Sequence, residues 1–90
     1  MNFVPIHVAA QENNTTLIEV MMRAGANLDI VNQKGQTALH IATTNNCHEA
    51  CVLLLLLGAN KTILDKNGDF PIDIAIRMEH HQIADLLESC

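Results

Sequence analysis

The apolar positions of this chain recur with the spacing of a helix, and the apolar segments are grouped in pairs separated by polar turns. In one segment Ala38, Ile41 and Ala42 stand at i, i+3 and i+4, so they lie on one face of a helix. Glycine and asparagine follow the segments, as expected of helix ends and turns. The pattern predicts an all-α chain with six helices, at about residues 5–12, 16–24, 38–44, 48–57, 71–78 and 81–87.

The paired segments are copies of one another at a fixed offset of 33 residues, with no gaps. VPIHVA, TALHIA and FPIDIA begin at residues 4, 37 and 70, and GAN occurs at residues 25–27 and 58–60. Pro5 and Pro71 fall at the first helical position, where the N–H that proline lacks has no intrahelical partner. Thr37 falls one residue before that position, where its hydroxyl can cap a helix. A period of this length indicates a repeat protein whose units bury their apolar faces against each other.

TALHIA, its two relatives and the GAN endings make the chain resemble the ankyrin-repeat family over essentially all 90 residues. The resemblance implies an all-α ankyrin-repeat solenoid of stacked helix–turn–helix units with protruding β-turn loops. Repeat 1 would span about residues 1–33 and lack its leading loop, repeat 2 about 34–66, and repeat 3 about 67–90. In the last repeat Phe70 replaces the capping threonine and Asp73 replaces the histidine. A carboxylate in the first turn is favoured by the helix dipole by about 0.3–1 kcal/mol, so we expect a natural C-terminal unit.

Composition narrows the choice of partner and compartment. The net charge is −5 and Lys and Arg number only 5, a poor supply for neutralising phosphates, so direct nucleic-acid binding is not expected. The longest apolar run, residues 50–57, is far shorter than the roughly 20 residues that cross a bilayer, and no signal peptide is evident. Three cysteines are an odd number for a disulfide framework. We therefore expect an intracellular protein, cytoplasmic or nuclear, with no membrane insertion.

Several residues could suggest catalysis or metal binding, but their spacing favours structural roles. His7 and His40 are one repeat apart, so each should occupy the same slot and bond to loop backbone. Cys47-His48-x-x-Cys51 resembles half of a zinc knuckle, whereas a structural zinc needs four converging ligands; the nearest additional ones are His80, His81 and Cys90. Cys51 should face the core, and His80 and His81 should form a solvated turn. We expect no enzyme, no cofactor and no metal site.

The resemblance implies a binding face made of loop tips and the exposed side of the first helix in each unit. Transferred to this chain, that concave face implies a non-catalytic protein–protein interaction module. Three of the five basic residues fall on it, so we expect a partner protein with an acidic segment. The implied partner-binding residues are Gln33, Lys34, Gln36, Thr44, Asn45, Lys66, Asn67, Asp69, Arg77 and Met78, with Gln11 and Glu12 as the only contribution of the first repeat.

Two alternatives follow from the same pattern. Val52 and Leu56 occupy positions that are polar in the other repeats and stand four apart on one helical face. They are either ordinary exposed aliphatic residues or a small patch for weak self-association. The chain could also be a structural segment of a longer ankyrin array, providing rigidity. A metal-binding or enzymatic domain is the least favoured alternative.

Overall fold

The computed structural model describes residues 5–89 and contains six α-helices within them. The helices are α1 (Pro5–Gln11), α2 (Thr15–Arg23), α3 (Ala38–Thr44), α4 (His48–Leu56), α5 (Pro71–Arg77) and α6 (His81–Ser89). Every predicted helix is present, with boundaries within two residues of those expected. The described residues include no strand, which confirms the all-α prediction. The expected absence of a leading loop in repeat 1 concerns residues outside the described range.

The helices pack as three antiparallel pairs, which we name the first pair (α1 and α2), the middle pair (α3 and α4) and the last pair (α5 and α6). α1, α3 and α5 pack in one row, and α2, α4 and α6 pack in a second row. Each pair therefore packs mainly on its neighbours in the stack, the arrangement of a solenoid. Along its three principal axes the stack measures 32 × 24 × 19 Å.

Small residues hold the first row together. Ala9, Ala42 and Ala75 occupy the same position of α1, α3 and α5, and all three are fully buried. Their methyl side chains let adjacent helices approach closely, whereas larger buried residues such as Leu54 and Ile83 fill the space between the rows. The core is consequently close-packed and aliphatic, in keeping with the apolar face predicted for each helix.

The loops that join the pairs run side by side on one edge of the stack. Lys66 N donates to Lys34 O at 3.0 Å, so the tips of the two loops are bonded to each other. A Cβ atom on Gly35 would lie 3.0 Å from Lys66 N, and Gly35 has a φ of +73°. Only glycine satisfies both the left-handed backbone and this close approach. Within each loop one side-chain oxygen accepts two backbone N–H groups: Asn32 Oδ1 in the first loop and Asp65 Oδ1 in the second.

The helix starts are capped in two different ways. Thr37 Oγ1 accepts from His40 N at the start of α3, which confirms the predicted cap. The start of α4 has no side-chain cap of its own. Its Ala50 N donates to Asn13 Oδ1 of the first pair at 2.9 Å, and Asn13 Nδ2 donates to Glu49 Oε1. The latter hydrogen bond lowers the pKa of Glu49. The first and middle pairs are thus joined by polar contacts as well as by packing.

Candidate functional site

The two buried histidines position the loops against the first helices. His40 Nδ1 accepts from Thr37 N at 3.1 Å, so the proton resides on Nε2, which donates to Asp69 O at 2.9 Å. One repeat earlier, His7 Nε2 makes the equivalent bond to loop backbone and donates to Gln36 O at 2.7 Å. The predicted role of this slot, a ring nitrogen bonded to loop backbone, is confirmed. Each ring ties the helix of one pair to the loop that leads into the next pair.

This tie leaves a concave face between the loop tips and the first helices. Most of the implied binding residues are exposed there: Gln33, Lys34, Asn45, Lys66, Asn67, Arg77 and Met78. Gln36, Thr44 and Asp69 are only partly exposed. Gln11 and Glu12, the contribution of the first repeat, are exposed at the end of α1.

A groove of about 730 Å³ opens on this face between the first loop and the helices α1 and α3. Its polar lining includes Gln11, Gln33, Lys34 and Gln36, all of which the sequence implied. Its apolar lining consists of Val8, Val31 and Ile41. Sequence reasoning missed these three residues. The available signal was Val31, an aliphatic residue that directly precedes the polar loop tip.

Part of the polarity on this face is used within the chain. Thr44 Oγ1 donates to His40 O and Asn45 Nδ2 donates to Ile41 O, both at 2.9 Å. Gln36 Oε1 accepts from Asn32 Nδ2 at 3.0 Å. These side chains satisfy local backbone and loop groups first. Lys34 and Lys66 therefore have more hydrogen-bonding groups available for a partner than Gln36, Thr44 and Asn45 have.

The charges on the concave face are not equivalent. Arg77 Nη2 lies 2.7 Å from Asp69 Oδ1, and this hydrogen bond raises the pKa of Arg77. Lys34 and Lys66 are exposed, and neither takes part in an ion pair with any residue of the described chain. The expected basic character of the face therefore comes from the two lysines, since Asp69 offsets the charge of Arg77.

Cys47 and Cys51 lie inside the stack rather than on the concave face. Cys51 is fully buried beside Thr43, with 3.7 Å between its Sγ and Thr43 Oγ1, and burial raises its pKa to about 12. Burial also raises the pKa of Cys47, whose Sγ donates to Gln11 O at 3.6 Å. Over residues 5–89, no cluster of three or more His, Cys, Asp or Glu side chains is arranged to hold a metal ion. Cys90 lies outside that range.

The prediction of a solvated His80-His81 turn is wrong for the first of the two residues. His80 is partly buried, and its Nδ1 lies 2.8 Å from Thr43 O of the middle pair. His81 is exposed and begins α6. His80 thus joins two pairs, a role the sequence did not reveal because the corresponding positions hold Cys47 and Asn14.

The two aliphatic residues on the outer row differ in exposure. Leu56 is 78% exposed, whereas Val52 is partly buried. An apolar patch made of these two residues, one of the two alternatives, would therefore be dominated by one leucine. Self-association through it stays a prediction.

Stacked helical pairs, loops bonded tip to tip and an open concave face define a helical repeat protein. Comparison with protein-family models identifies the kind of repeat: the model for ankyrin repeats matches residues 6–89 in three copies. The chain belongs to the ankyrin-repeat family. Ankyrin repeats are in general protein–protein interaction modules. A search of curated proteins found no match.

None of the helices in the described part of the chain combines the length and the apolar character that crossing a bilayer requires.

Proposed function

We propose that this chain is a non-catalytic interaction module that binds a partner protein on its concave face. The observation that carries the proposal is the groove between the first loop and α1 and α3. Its lining combines apolar side chains with polar ones, the composition expected of a surface that recognises a peptide segment. Gln33, Lys34 and Gln36 line it, and Lys66 lies on the neighbouring loop tip.

The rigidity of the face supports this role. The first loop is held by His7 and by the bond from Lys66 N to Lys34 O, and the second loop is held by His40. A partner would meet a surface that is already formed, so little conformational entropy would be lost on binding.

The charge distribution favours an acidic partner segment. Lys34 and Lys66 stand on adjacent, bonded loop tips, while the chain as a whole carries a net charge of −5. Two neighbouring unpaired cations on an acidic protein create a local positive potential that steers carboxylates to this edge. Arg77 contributes less because Asp69 already pairs with it.

Selection from a random peptide display library against the immobilised chain tests the proposal. We expect the enriched peptides to carry an apolar residue beside Asp or Glu. Lys34→Glu should raise their dissociation constant by about tenfold or more, because an attraction at the groove becomes a repulsion.

Arg23→Glu is the matched control, since it makes the same change of charge on α2, where Arg23 is exposed on the outer row. We expect it to leave peptide affinity nearly unchanged. Equal affinity of the Lys34→Glu and Arg23→Glu proteins for the selected peptides would refute binding at the groove.

We also propose an intracellular location, in the cytoplasm or nucleus. Cys47 and Cys51 are free, buried thiols. Unpaired cysteines are typical of reducing compartments.

A further inference from the structure

The two ends of the stack expose apolar residues at positions that are less exposed inside it. The clearest case is the sixth residue of the first helix in each pair. Ala10 and Thr43 are 0% exposed there because the next pair covers them, whereas Ile76 in the last pair is 63% exposed. Phe70 is likewise exposed where Thr37 is buried, and Ile72 is partly exposed. We call Phe70, Ile72 and Ile76 the tail face.

The opposite end shows the converse gradient. Val8 is exposed, its equivalent Ile41 in the middle pair is partly buried, and Ile74 in the last pair is buried. Val20 is 50% exposed, and its equivalents Leu53 and Leu86 are partly buried. We call Val8 and Val20 the head face. The head and tail faces are the two halves of the contact by which neighbouring pairs pack in the stack.

The polar contact of the last junction has its counterpart groups at the two end faces. At that junction His80 Nδ1 bonds to Thr43 O. At the first junction the equivalent Cys47 Sγ donates to Gln11 O, one residue beyond the equivalent acceptor. Asn14 holds the equivalent position on the first pair. Its Oδ1 accepts from Leu17 N, which leaves its amide N–H groups able to donate.

The acceptor for such a donor is present at the other end. Ile76 O is the equivalent of Thr43 O. Both carbonyls accept one backbone N–H, from Glu79 and Asn46 respectively. A carbonyl oxygen can accept a second hydrogen bond, as Thr43 O does from His80.

From this continuity with the internal junctions, we propose that the chain associates head to tail, the tail face of one copy packing on the head face of a second copy. The contact would repeat the geometry by which the last pair covers the middle pair. Because the two faces differ, the association is heterologous and open, so further copies can add along the same axis. The outer patch of Val52 and Leu56 takes no part in it.

Sedimentation velocity and light scattering of the chain, from micromolar to millimolar concentration, test this association. We expect the average mass to rise with concentration above the 9.9 kDa of the monomer. Ile76→Glu and Val20→Glu should each raise the dissociation constant by about tenfold or more, because a charge would enter an apolar contact. Both residues are exposed in the monomer, so circular dichroism should show an intact fold.

Mixing the two variants distinguishes the proposed geometry from a symmetric one. The Ile76→Glu protein keeps its head face and the Val20→Glu protein keeps its tail face, so the mixture should recover one junction and form a one-to-one dimer. Leu56→Glu, the control on the outer row, should associate like the unaltered chain.

Three results would overturn the proposal: a monomer throughout the concentration range, loss of association in the Leu56→Glu protein alone, or a mixture that stays monomeric although each variant is folded. The substituted residues Ile76, Val20 and Leu56 do not line the peptide-binding groove, so these variants leave it unaltered; Val8 is the one residue of the head face that also lines the groove.

Discussion

The middle and last pairs begin with the same backbone turn, but different residues cap the helix that follows it. In the middle pair Thr37 and His40 cap each other, and the imidazole continues to Asp69 O on the next loop. In the last pair Asp73 Oδ2 accepts from Phe70 N at 2.8 Å. No hydrogen bond leads from Asp73 to another pair in the described chain.

The difference separates two tasks that one histidine performs. An imidazole has two nitrogens on opposite edges, so it can accept from its own helix start while it donates to a neighbouring loop. An ionised carboxylate only accepts, and its negative charge suits the positive end of the helix dipole. Asp73 therefore caps its own helix as His40 does, but it does not connect that helix to a neighbouring loop.

The largest effect is expected where both tasks are lost. His40→Ala removes the acceptor for Thr37 N and the donor to Asp69 O at a fully buried position. We expect the free energy of unfolding to fall by about 2–4 kcal/mol, from unsatisfied buried groups and a new cavity. Urea denaturation followed by circular dichroism measures it. A loss no larger than that of Asp73→Ala would contradict the comparison.

A second effect on the free energy of unfolding should appear at alkaline pH, and it should come from Cys51 in the middle pair. Burial raises the pKa of the Cys51 thiol from 9.0 to about 12. Between those values the folded chain keeps a proton that the unfolded chain releases, so stability should fall as pH rises above about 9, approaching 1.4 kcal/mol per pH unit. The last pair has Ala84 at the equivalent position and cannot contribute.

Urea denaturation at several values between pH 8 and about 10.5 reads this slope. The Cys51→Ala protein is the control, because it keeps the fold but lacks the thiol. Its stability should depend less steeply on pH above 9. Identical slopes for both proteins would show that burial of Cys51 is not the cause.

The smallest effect is expected at the last pair. Asp73→Ala should lower the free energy of unfolding by about 1 kcal/mol, the usual loss for a helix cap. Asp73→Asn keeps an acceptor for Phe70 N and should recover most of that loss. Thermal melts of the three proteins suffice for the measurement. An effect of Asp73→Ala equal to that of His40→Ala would mean that the carboxylate also connects pairs.

Much of this architecture could be predicted from the sequence because local chemistry and the repeat agree. Thr37, Pro71 and Gly58 mark helix ends by their own backbone preferences, so the helices were expected within two residues of where they lie. The histidine slot followed from the 33-residue offset between His7 and His40, since one slot implies one role.

The relations between units were harder to predict because they depend on which residues face each other. The contact of His80 with Thr43 O carries no signal in a single repeat, as the slot holds Asn, Cys and His in turn. The pairing of Arg77 with Asp69 was missed for the same reason. Position on the concave face was implied by the family resemblance, but neither the partner nor its affinity follows from these residues.

The contact made by Asn13 limits how freely these units could be exchanged. Its amide oxygen caps Ala50 N and its amide nitrogen binds Glu49, so the first turn of α4 is completed by a residue from another repeat. A middle pair transplanted into a different array would lose this cap, at a cost of about 1 kcal/mol, unless the preceding unit offers an asparagine, or an equivalent acceptor, at this turn. Exchange of units is therefore penalised at the boundary of two repeats rather than within either one.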